Sequence, residues 1–177
     1  MGAYLKNVHR ITILMLISLA VLSISGCLNS TNATENDDGV LQNEPIISVS
    51  PDGKYRAEAF GTITEITAGG LFPYKGVRII SVDKEEVIWK MEPGGYTVSF
   101  TWSPDCKYVG IYYTGRIWGE SIVVDVNEMK HISLPELDEV ASHYDASVKP
   151  QEDRPDPYFE IQGWKDSETV IVNFRWT

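Results

Sequence analysis

The side chains that most often catalyse reactions or bind metals are few in this 177-residue sequence, and their spacing is unfavourable. Beyond residue 26 the two histidines, His131 and His143, lie twelve residues apart, and no histidine, cysteine and aspartate pattern has zinc-site spacing. Asp138, Glu139, His143 and Asp145 could meet on one short helix and bind a divalent cation, but such a cluster is more often a solvated acidic surface. We therefore predict no metal site and no cofactor.

Nucleophilic chemistry has one candidate, the thiol of Cys106. A cysteine nucleophile needs a nearby base and an electropositive setting, and the adjacent Lys107 is expected on the opposite strand face. The chain has no Gly-x-Ser-x-Gly elbow and no glycine-rich loop that would cradle a phosphate. These patterns predict a protein without catalytic residues.

Two glycine-flanked loops carry aromatic residues that could bind a partner. They are Gly69-Gly70-Leu71-Phe72-Pro73-Tyr74 and Gly115-Arg116-Ile117-Trp118-Gly119. If both loops lie at one end of the fold, they form an exposed patch, and exposed apolar patches mark binding surfaces. The alternative is that the aromatic rings fold back and cap the core. The candidate binding residues are Phe72, Tyr74, Arg116 and Trp118.

A recurring strand-turn-strand pattern must position these loops. It appears at Ser48–Ala57, at Thr101–Tyr112 and, in a degenerate form, at Gly163–Val172. Pro, Asp and Gly in Ser50-Pro51-Asp52-Gly53 suit successive positions of a tight turn, and alternating apolar residues on either side predict half-buried strands. Cys106 occupies the position of Gly53 in the second copy. Either it adopts a strained positive φ, or the second turn has a slightly different shape, which we favour.

The predicted strands form two groups of four and a final pair. The Ser-Pro-Asp turns are 53 residues apart, whereas Arg78–Asp83 aligns with Ile122–Asn127 at an offset of 44. The pattern therefore predicts an internal repeat of four short strands, with the extra residues of the first unit in the loop 61–76. The strands are expected at 46–50, 55–60, 77–82 and 86–90, at 96–102, 107–113, 121–126 and 130–134, and at 159–164 and 169–176.

The repeated turns resemble those of TolB-type β-propellers, a WD-like family of repeats. Trp102-Ser103-Pro104-Asp105 followed by Lys107-Tyr108, and Ser50-Pro51-Asp52-Gly53-Lys54-Tyr55, are similar to the stretch that links the first two strands of a blade in that family. The resemblance implies an all-β fold of two four-stranded antiparallel blade-like units plus a C-terminal hairpin. That is too few blades to close a ring in one chain. Either the units pack as an open β structure, which we favour, or several chains pool their blades.

The first 27 residues have the pattern of a secretion signal. A basic start at Lys6, His9 and Arg10 precedes an uncharged, mostly apolar run from Ile11 to Ile24, which is short for a membrane-spanning helix. The ending Leu22-Ser23-Ile24-Ser25-Gly26-Cys27 resembles the lipobox of prokaryotic lipoproteins. By that resemblance residues 1–26 are a signal peptide and Cys27 carries a thioether-linked lipid and usually an N-acyl chain. An uncleaved membrane anchor is the alternative.

The remaining chain divides into a tether and one domain. Residues 27–45 comprise the lipidated cysteine and a polar, aperiodic segment that is typical of a disordered linker, and residues 46–177 form the β domain. Its units are 46–90, 96–134 and 158–177, with an insertion at 135–157. Residues 1–26 contain two of the 15 basic and none of the 25 acidic side chains, so the rest has a net charge of −12. This charge disfavours nucleic acid and anionic lipid headgroups as partners.

Together these patterns predict a lipid-anchored, non-catalytic binding or assembly module of the cell envelope, in the cell membrane or outer membrane. Its expected partners are the membrane, through the covalent lipid, and an envelope protein. The alternative is a receptor for a small ligand or glycan that uses the same loop aromatics. An envelope enzyme is the weakest hypothesis because no pair of nucleophile and base stands out.

Overall fold

The computed structural model describes residues 34–35, 41–147 and 156–176, and the lipidation candidate Cys27 lies outside them. Within these residues the chain is mostly β-structure with one short helix, which confirms the predicted all-β class. In chain order the elements are β1 (Thr34–Glu35), β2 (Leu41–Gln42), β3 (Ile46–Val49), β4 (Tyr55–Phe60), β5 (Gly76–Ser81), β6 (Glu86–Met91), β7 (Val98–Trp102), β8 (Tyr108–Thr114), β9 (Gly119–Asp125), β10 (Lys130–Ile132), α1 (Leu137–Tyr144), β11 (Pro157–Trp164) and β12 (Val170–Trp176).

The two predicted groups of four strands belong to two different sheets. Strands β3 to β6 form an antiparallel sheet in sequence order, and β7 to β10 continue the same meander in a larger, mixed sheet. The observed strand ends lie within two residues of the predicted ones. The described strands form no closed barrel, in agreement with the prediction that one chain has too few blades for a ring.

The final hairpin is joined to the second sheet, a connection that the sequence pattern did not predict. Strand β11 pairs with β12 and makes one parallel pairing with β9, between Tyr158 and Gly119. The buried hydroxyl of Ser121 secures this junction, because it donates to the carbonyl oxygen of Phe159 (2.9 Å) and accepts from the N–H of Ile161 (3.0 Å). Strand β10 covers only the last part of β9, so the first part remains free for β11.

The two Ser-Pro-Asp turns share one hydrogen-bond network. In the first turn the Ser50 hydroxyl donates to Oδ1 of Asp52 (2.7 Å) and accepts from the N–H of Tyr55 (3.0 Å). In the second turn Ser103, Asp105 and Tyr108 make the same contacts at 2.7 and 2.9 Å. Each serine therefore satisfies a backbone donor inside the turn and positions the carboxylate.

The second turn corrects the shape that we favoured from the sequence. Cys106 has φ of +60° and Gly53 has φ of +75°, so both residues occupy the left-handed region. The N–H of Cys106 donates to the carbonyl oxygen of Ser103 as Gly53 donates to Ser50. Because the surrounding hydrogen bonds are the same, the backbone keeps its shape and Cys106 accepts strain of roughly 1 kcal/mol.

The structure confirms that the third strands of the two units are equivalent at an offset of 44 residues. The N–H of Val82 donates to the carbonyl oxygen of Lys54, and the N–H of Val126 donates to that of Lys107. Val82 and Val126 are 44 residues apart, whereas the two lysines are 53 apart. The loop 61–76 therefore contains the nine additional residues of the first unit.

The two sheets pack face to face around one apolar core. Its buried residues come from both sheets and are almost all β-branched or small: Ala57, Ala59, Val77, Ile79, Val98, Val109, Ile111, Val124 and Val126, together with Tyr74. Strand β7 shows the alternation of a sheet with one buried face, whereas β8 and β9 also bury residues between the core positions, such as Gly110 and Val123. Phe100 and Trp102, which the repeat predicts as core residues, are half-buried against this cluster.

Successive units are joined by the same stacked pair of aromatic rings. Tyr55 stacks on Trp102 with ring centroids 6.4 Å apart, and Tyr108 stacks on Trp164 at 5.9 Å. Each indole N–H also donates to the preceding unit, Trp102 to Ser48 Oγ (3.1 Å) and Trp164 to the carbonyl oxygen of Thr101 (2.9 Å). The tryptophan before one turn thus docks on the tyrosine after the previous turn.

This aromatic pair is absent at the two outer positions of the repeat. Val49 occupies the place of Trp102 in the first unit, and Val170 occupies the place of Tyr108 in the third. Val49 is 53% exposed, in contrast to the half-buried tryptophans. Neither outer unit therefore has the aromatic residue that would stack on a further unit, which favours the open structure over pooled blades.

The stacked pairs should make a large contribution to stability. We expect Trp102→Ala to lower the free energy of unfolding by about 2–4 kcal/mol, because it removes a half-buried ring, a stack and a hydrogen bond. Val49→Ala, at the equivalent repeat position, should change it by less than about 0.5 kcal/mol. Urea denaturation measures the free energy of unfolding of both variants. Equal losses in the two would contradict the stabilising role of the stacked pair.

Stability should also depend on the ionisation of Asp52. The Ser50 hydroxyl and the N–H of Lys54 lower the pKa of Asp52 from 3.8 to about 2. A carboxyl with a lowered pKa stabilises the fold above its unfolded pKa and loses that contribution as the pH falls through the folded one. The melting-temperature difference between the parent and Asp52→Ala should therefore be largest near pH 6 and shrink towards pH 2. A difference independent of pH would contradict this assignment.

Candidate functional site

The tip of the β8–β9 hairpin presents Trp118. The turn closes with a hydrogen bond from the N–H of Gly115 to the carbonyl oxygen of Trp118 (2.9 Å), and the indole lies directly over Gly115. Its ring also meets Tyr113 edge-on, with centroids 5.7 Å apart. Trp118 nevertheless remains 39% exposed. The ring is therefore held in place by two contacts while part of its surface faces solvent.

Tyr113 supports this ring and connects it to a carboxylate. The Tyr113 hydroxyl donates to Oε2 of Glu120 (2.9 Å), its partner on the neighbouring strand. Burial of the hydroxyl, and then this hydrogen bond to Glu120, raise the pKa of Tyr113 well above its usual value. The phenol therefore stays protonated and acts as a donor at any physiological pH. Trp118, Tyr113 and Glu120, which we call the Trp118 ridge, form one connected group.

An apolar cleft lies on one side of the Trp118 ridge. It has a volume of about 540 Å³ and runs between the loop 61–76, the connection from β6 to β7, and the tip of the β8–β9 hairpin. Ile66, which lines it, is 52% exposed. The cleft is lined by Ile63, Ile66, Pro73, Met91, Glu92, Pro93, Gly95, Tyr96, Tyr113, Thr114, Gly115 and Trp118.

A larger and more polar cleft lies on the other side of the ridge. It has a volume of about 780 Å³ and is bounded by β6, β9, β10, β11 and the start of α1. Its aromatic lining residues are Trp89, Tyr113, Trp118 and Phe159, and its charged ones are Lys90, Glu92, Glu120 and Glu136. Met91, Glu92, Tyr113 and Trp118 line both clefts, so the two form neighbouring sections of one groove.

The structure brings together only part of the predicted aromatic patch. Trp118 and Arg116 are exposed at the hairpin tip, and Phe72 is half-buried in the loop 61–76. Phe72 does not line either cleft, although its neighbour Pro73 lines the apolar one. The two loops do meet along this cleft. The residues of the longer loop that line it are Ile63, Ile66 and Pro73, and not Phe72.

Tyr74 is a core residue, so its placement in an exposed patch is wrong. It is only 3% exposed, and its hydroxyl donates to the carbonyl oxygen of Glu44 (3.0 Å). Its backbone exchanges hydrogen bonds with Gly94 and Gly95, which holds the end of the loop against the sheet. This hydroxyl has a partner inside the domain, so burying the ring leaves no polar group unsatisfied.

Sequence reasoning missed Tyr113 and Glu120. Tyr113 ends a predicted strand and Glu120 directly precedes the next one, so both flank the glycine-bounded loop in which only Arg116 and Trp118 were considered. The signal that could have found them is register, because a short hairpin turn after Thr114 places Tyr113 opposite Glu120. For Ile63 and Ile66 the sequence gives no register signal, because they lie in a loop without regular secondary structure.

The side chains considered for chemistry are not assembled into a centre. In the part of the chain that the structure describes, no three histidine, cysteine or acidic residues come close enough to hold a metal ion, and this includes the helix α1. Cys106 is buried, and the amino group of Lys107 lies 3.8 Å from Oδ2 of Asp125. None of the described helices has the length and apolar character needed to span a bilayer.

Comparison with protein-family models finds no match to this chain, and comparison with curated proteins finds none either.

The position of the Trp118 ring should depend on the absence of a side chain at residue 115. A Cβ built on Gly115 would overlap the indole, whereas one on Gly163 meets nothing within 4 Å. We expect Gly115→Ala to displace the ring and shift the Trp118 indole N–H resonance in ¹H–¹⁵N spectra. Gly163→Ala should leave that resonance unchanged. An unshifted Trp118 signal in Gly115→Ala would contradict the packing described here.

Proposed function

We propose that this protein is a lipid-anchored, extracytoplasmic, non-catalytic binding module of the cell envelope, built from TolB-like blades. The observation that carries the binding role is the Trp118 ridge, which holds an exposed tryptophan between two clefts. Tryptophan is among the residues most enriched at the few interface positions that contribute most to protein–protein affinity. The repeated Ser-Pro-Asp turns and the stacked aromatic pairs support the likeness to propeller blades.

The membrane attachment is supported by the sequence around Cys27. A basic start, an apolar run and small residues before a cysteine occur together at the spacing of a lipoprotein signal. Two or three acyl chains would hold the protein firmly, because each buried CH₂ contributes about 0.8 kcal/mol. Fifteen residues lie between Cys27 and Asn43, so a fully extended tether would reach roughly 55 Å, and the pairing of β1 with β2 shortens that reach.

The tether enters the domain at the end that carries the apolar cleft. The N–H of Asn43 donates to Oγ1 of Thr62 (2.6 Å), and its side-chain amide donates to the carbonyl oxygen of Phe72 (2.9 Å). Both partners belong to the loop 61–76, whose residues Ile63 and Ile66 line the cleft. A partner seated in the groove would therefore lie beside the tether and within its reach of the membrane surface, which supports an envelope protein as the partner.

A receptor for a small ligand or glycan is the second candidate. The larger cleft supports it, because aromatic rings such as Trp89 and Trp118 lie there beside carboxylates, and sugars bind through stacking combined with hydrogen bonds. Thermal-shift screening against cell-wall fragments and sugars distinguishes the two functions, since a ligand that binds only the native state raises the melting temperature. An envelope enzyme is the least supported, because the buried hydroxyl of Ser121 in the larger cleft is already bonded to the backbone of β11, and Cys106 lines neither cleft.

The Trp118 ridge should be required for partner recovery. We expect the tagged, lipidated full chain to retain an envelope protein in pull-downs from solubilised native membranes, read by mass spectrometry. Trp118→Ala should lose at least about 2 kcal/mol of binding, which corresponds to more than a tenfold loss of recovery. The melting temperature should change little, since the ring lies at an exposed hairpin tip.

Two controls separate binding from anchoring. Val87→Ala alters a side chain of similar exposure that lines neither cleft, and it should recover the partner normally. Cys27→Ser removes the lipidation candidate and should release the protein from the membrane fraction. Recovery of the same proteins with the parent and with Trp118→Ala would exclude the ridge as the binding site.

A further inference from the structure

We propose that the groove along the Trp118 ridge binds an extended peptide segment that carries an apolar side chain next to a cationic one. This inference rests on the proposed binding function and names the chemistry of its partner. The apolar side chain would occupy the cleft on the Ile66 side of the ridge. The lysine or arginine would lie on the opposite side, against the aromatic rings and Glu120.

The apolar cleft offers almost no hydrogen-bond partners. Its lining is dominated by aliphatic, proline and aromatic residues, and Glu92 supplies its carboxylate. Sugar hydroxyl groups would lose their water partners there without replacement, which costs free energy. Together with the exposure of Ile66 and Trp118, this lining favours a leucine, methionine or phenylalanine side chain.

The larger cleft is suited to a positive charge. It has one lysine, Lys90, which is already paired with Glu92. Glu120 and Glu136 form no ion pair within the described residues, and Glu120 is fixed by the Tyr113 hydroxyl. A cation at this point would face a carboxylate and the rings of Tyr113 and Trp118, and aromatic faces attract cations.

The shape of the groove favours a chain over a compact ligand. The clefts, of about 540 and 780 Å³, share Tyr113 and Trp118 of the ridge, together with Met91 and Glu92, as a common wall. One extended segment can therefore cross the ridge and place successive side chains in both. The chain beyond residue 26 has a net charge of −12, which adds a long-range attraction for a basic partner.

A pair of labelled peptides tests this assignment. The probe has a central phenylalanine with an arginine on each side and a glycine at each end, so either chain direction brings an arginine near Glu120. Its matched control replaces both arginines by citrulline, which has the same shape without the charge. The full, lipidated chain in phosphatidylcholine nanodiscs is titrated into each fluorescent peptide, and fluorescence anisotropy is measured.

We expect the arginine peptide to bind about five- to tenfold more tightly than the citrulline peptide at low salt, with the difference decreasing as salt screens the charges. Glu120→Gln should weaken only the arginine peptide, because a glutamine oxygen still accepts from Tyr113. Glu86→Gln, an identical charge change at an exposed residue outside both clefts, should have no effect. Ile66→Ala should weaken both peptides equally.

Equal affinity for the two peptides, or no effect of Glu120→Gln, would overturn the inference. If Trp118→Ala then still abolished partner recovery, the proposed function would stand without this ligand class. Selective peptide binding with no protein recovered from membranes would support the inference and refute the assembly role. Suppose that brominated phosphatidylcholine quenches the tryptophan fluorescence of the parent but not that of Trp118→Phe. That result would place the bilayer in the groove and overturn the peptide assignment.

Discussion

The stacked tyrosine and tryptophan at each unit junction determine how the sheets of this protein are arranged. Each pair joins the residue after one Ser-Pro-Asp turn to the residue before the next, and an indole hydrogen bond secures it. A sheet with one apolar face must bury that face against another layer. The aromatic pairs decide which layer is adjacent and at what distance. The first pair packs against the apolar core between the two sheets, and the second pair holds the final hairpin together with the β11–β9 pairing and Ser121.

The candidate site depends on that arrangement because no single unit contains it. Ile63, Ile66 and Met91 come from the first unit, whereas Tyr113, Trp118 and Glu120 come from the second. The groove is therefore a product of packing between units, and it lies at the end opposite the turns that form the junctions. This separation explains how an exposed tryptophan and irregular loops can be present without weakening the contacts that hold the sheets together.

Much of the fold could be predicted from residues 46–176, but the site could be predicted only in part. The strands followed from period-two alternation, and the turns followed from Ser, Pro, Asp and Gly at fixed positions. Trp118 was found because it lies in a short glycine-flanked turn. Tyr74 was assigned to the same surface because an aromatic residue after Gly-Gly has the same local pattern, and only the backbone contacts with Gly94 and Gly95 show that it is buried.

The sequence by itself determined the all-β class, the internal repeat with its two offsets, and the excess of acidic side chains. These properties follow from local patterns and from composition. The tertiary structure alone decided that Cys106 keeps the left-handed backbone of Gly53, that β11 joins β9 through Ser121, and that two clefts meet at Trp118. The Cys106 backbone is set by hydrogen bonds within its own turn, such as that from Cys106 to Ser103. The other two depend on contacts between residues far apart in the chain, such as Ser121 with Phe159, which no local pattern encodes.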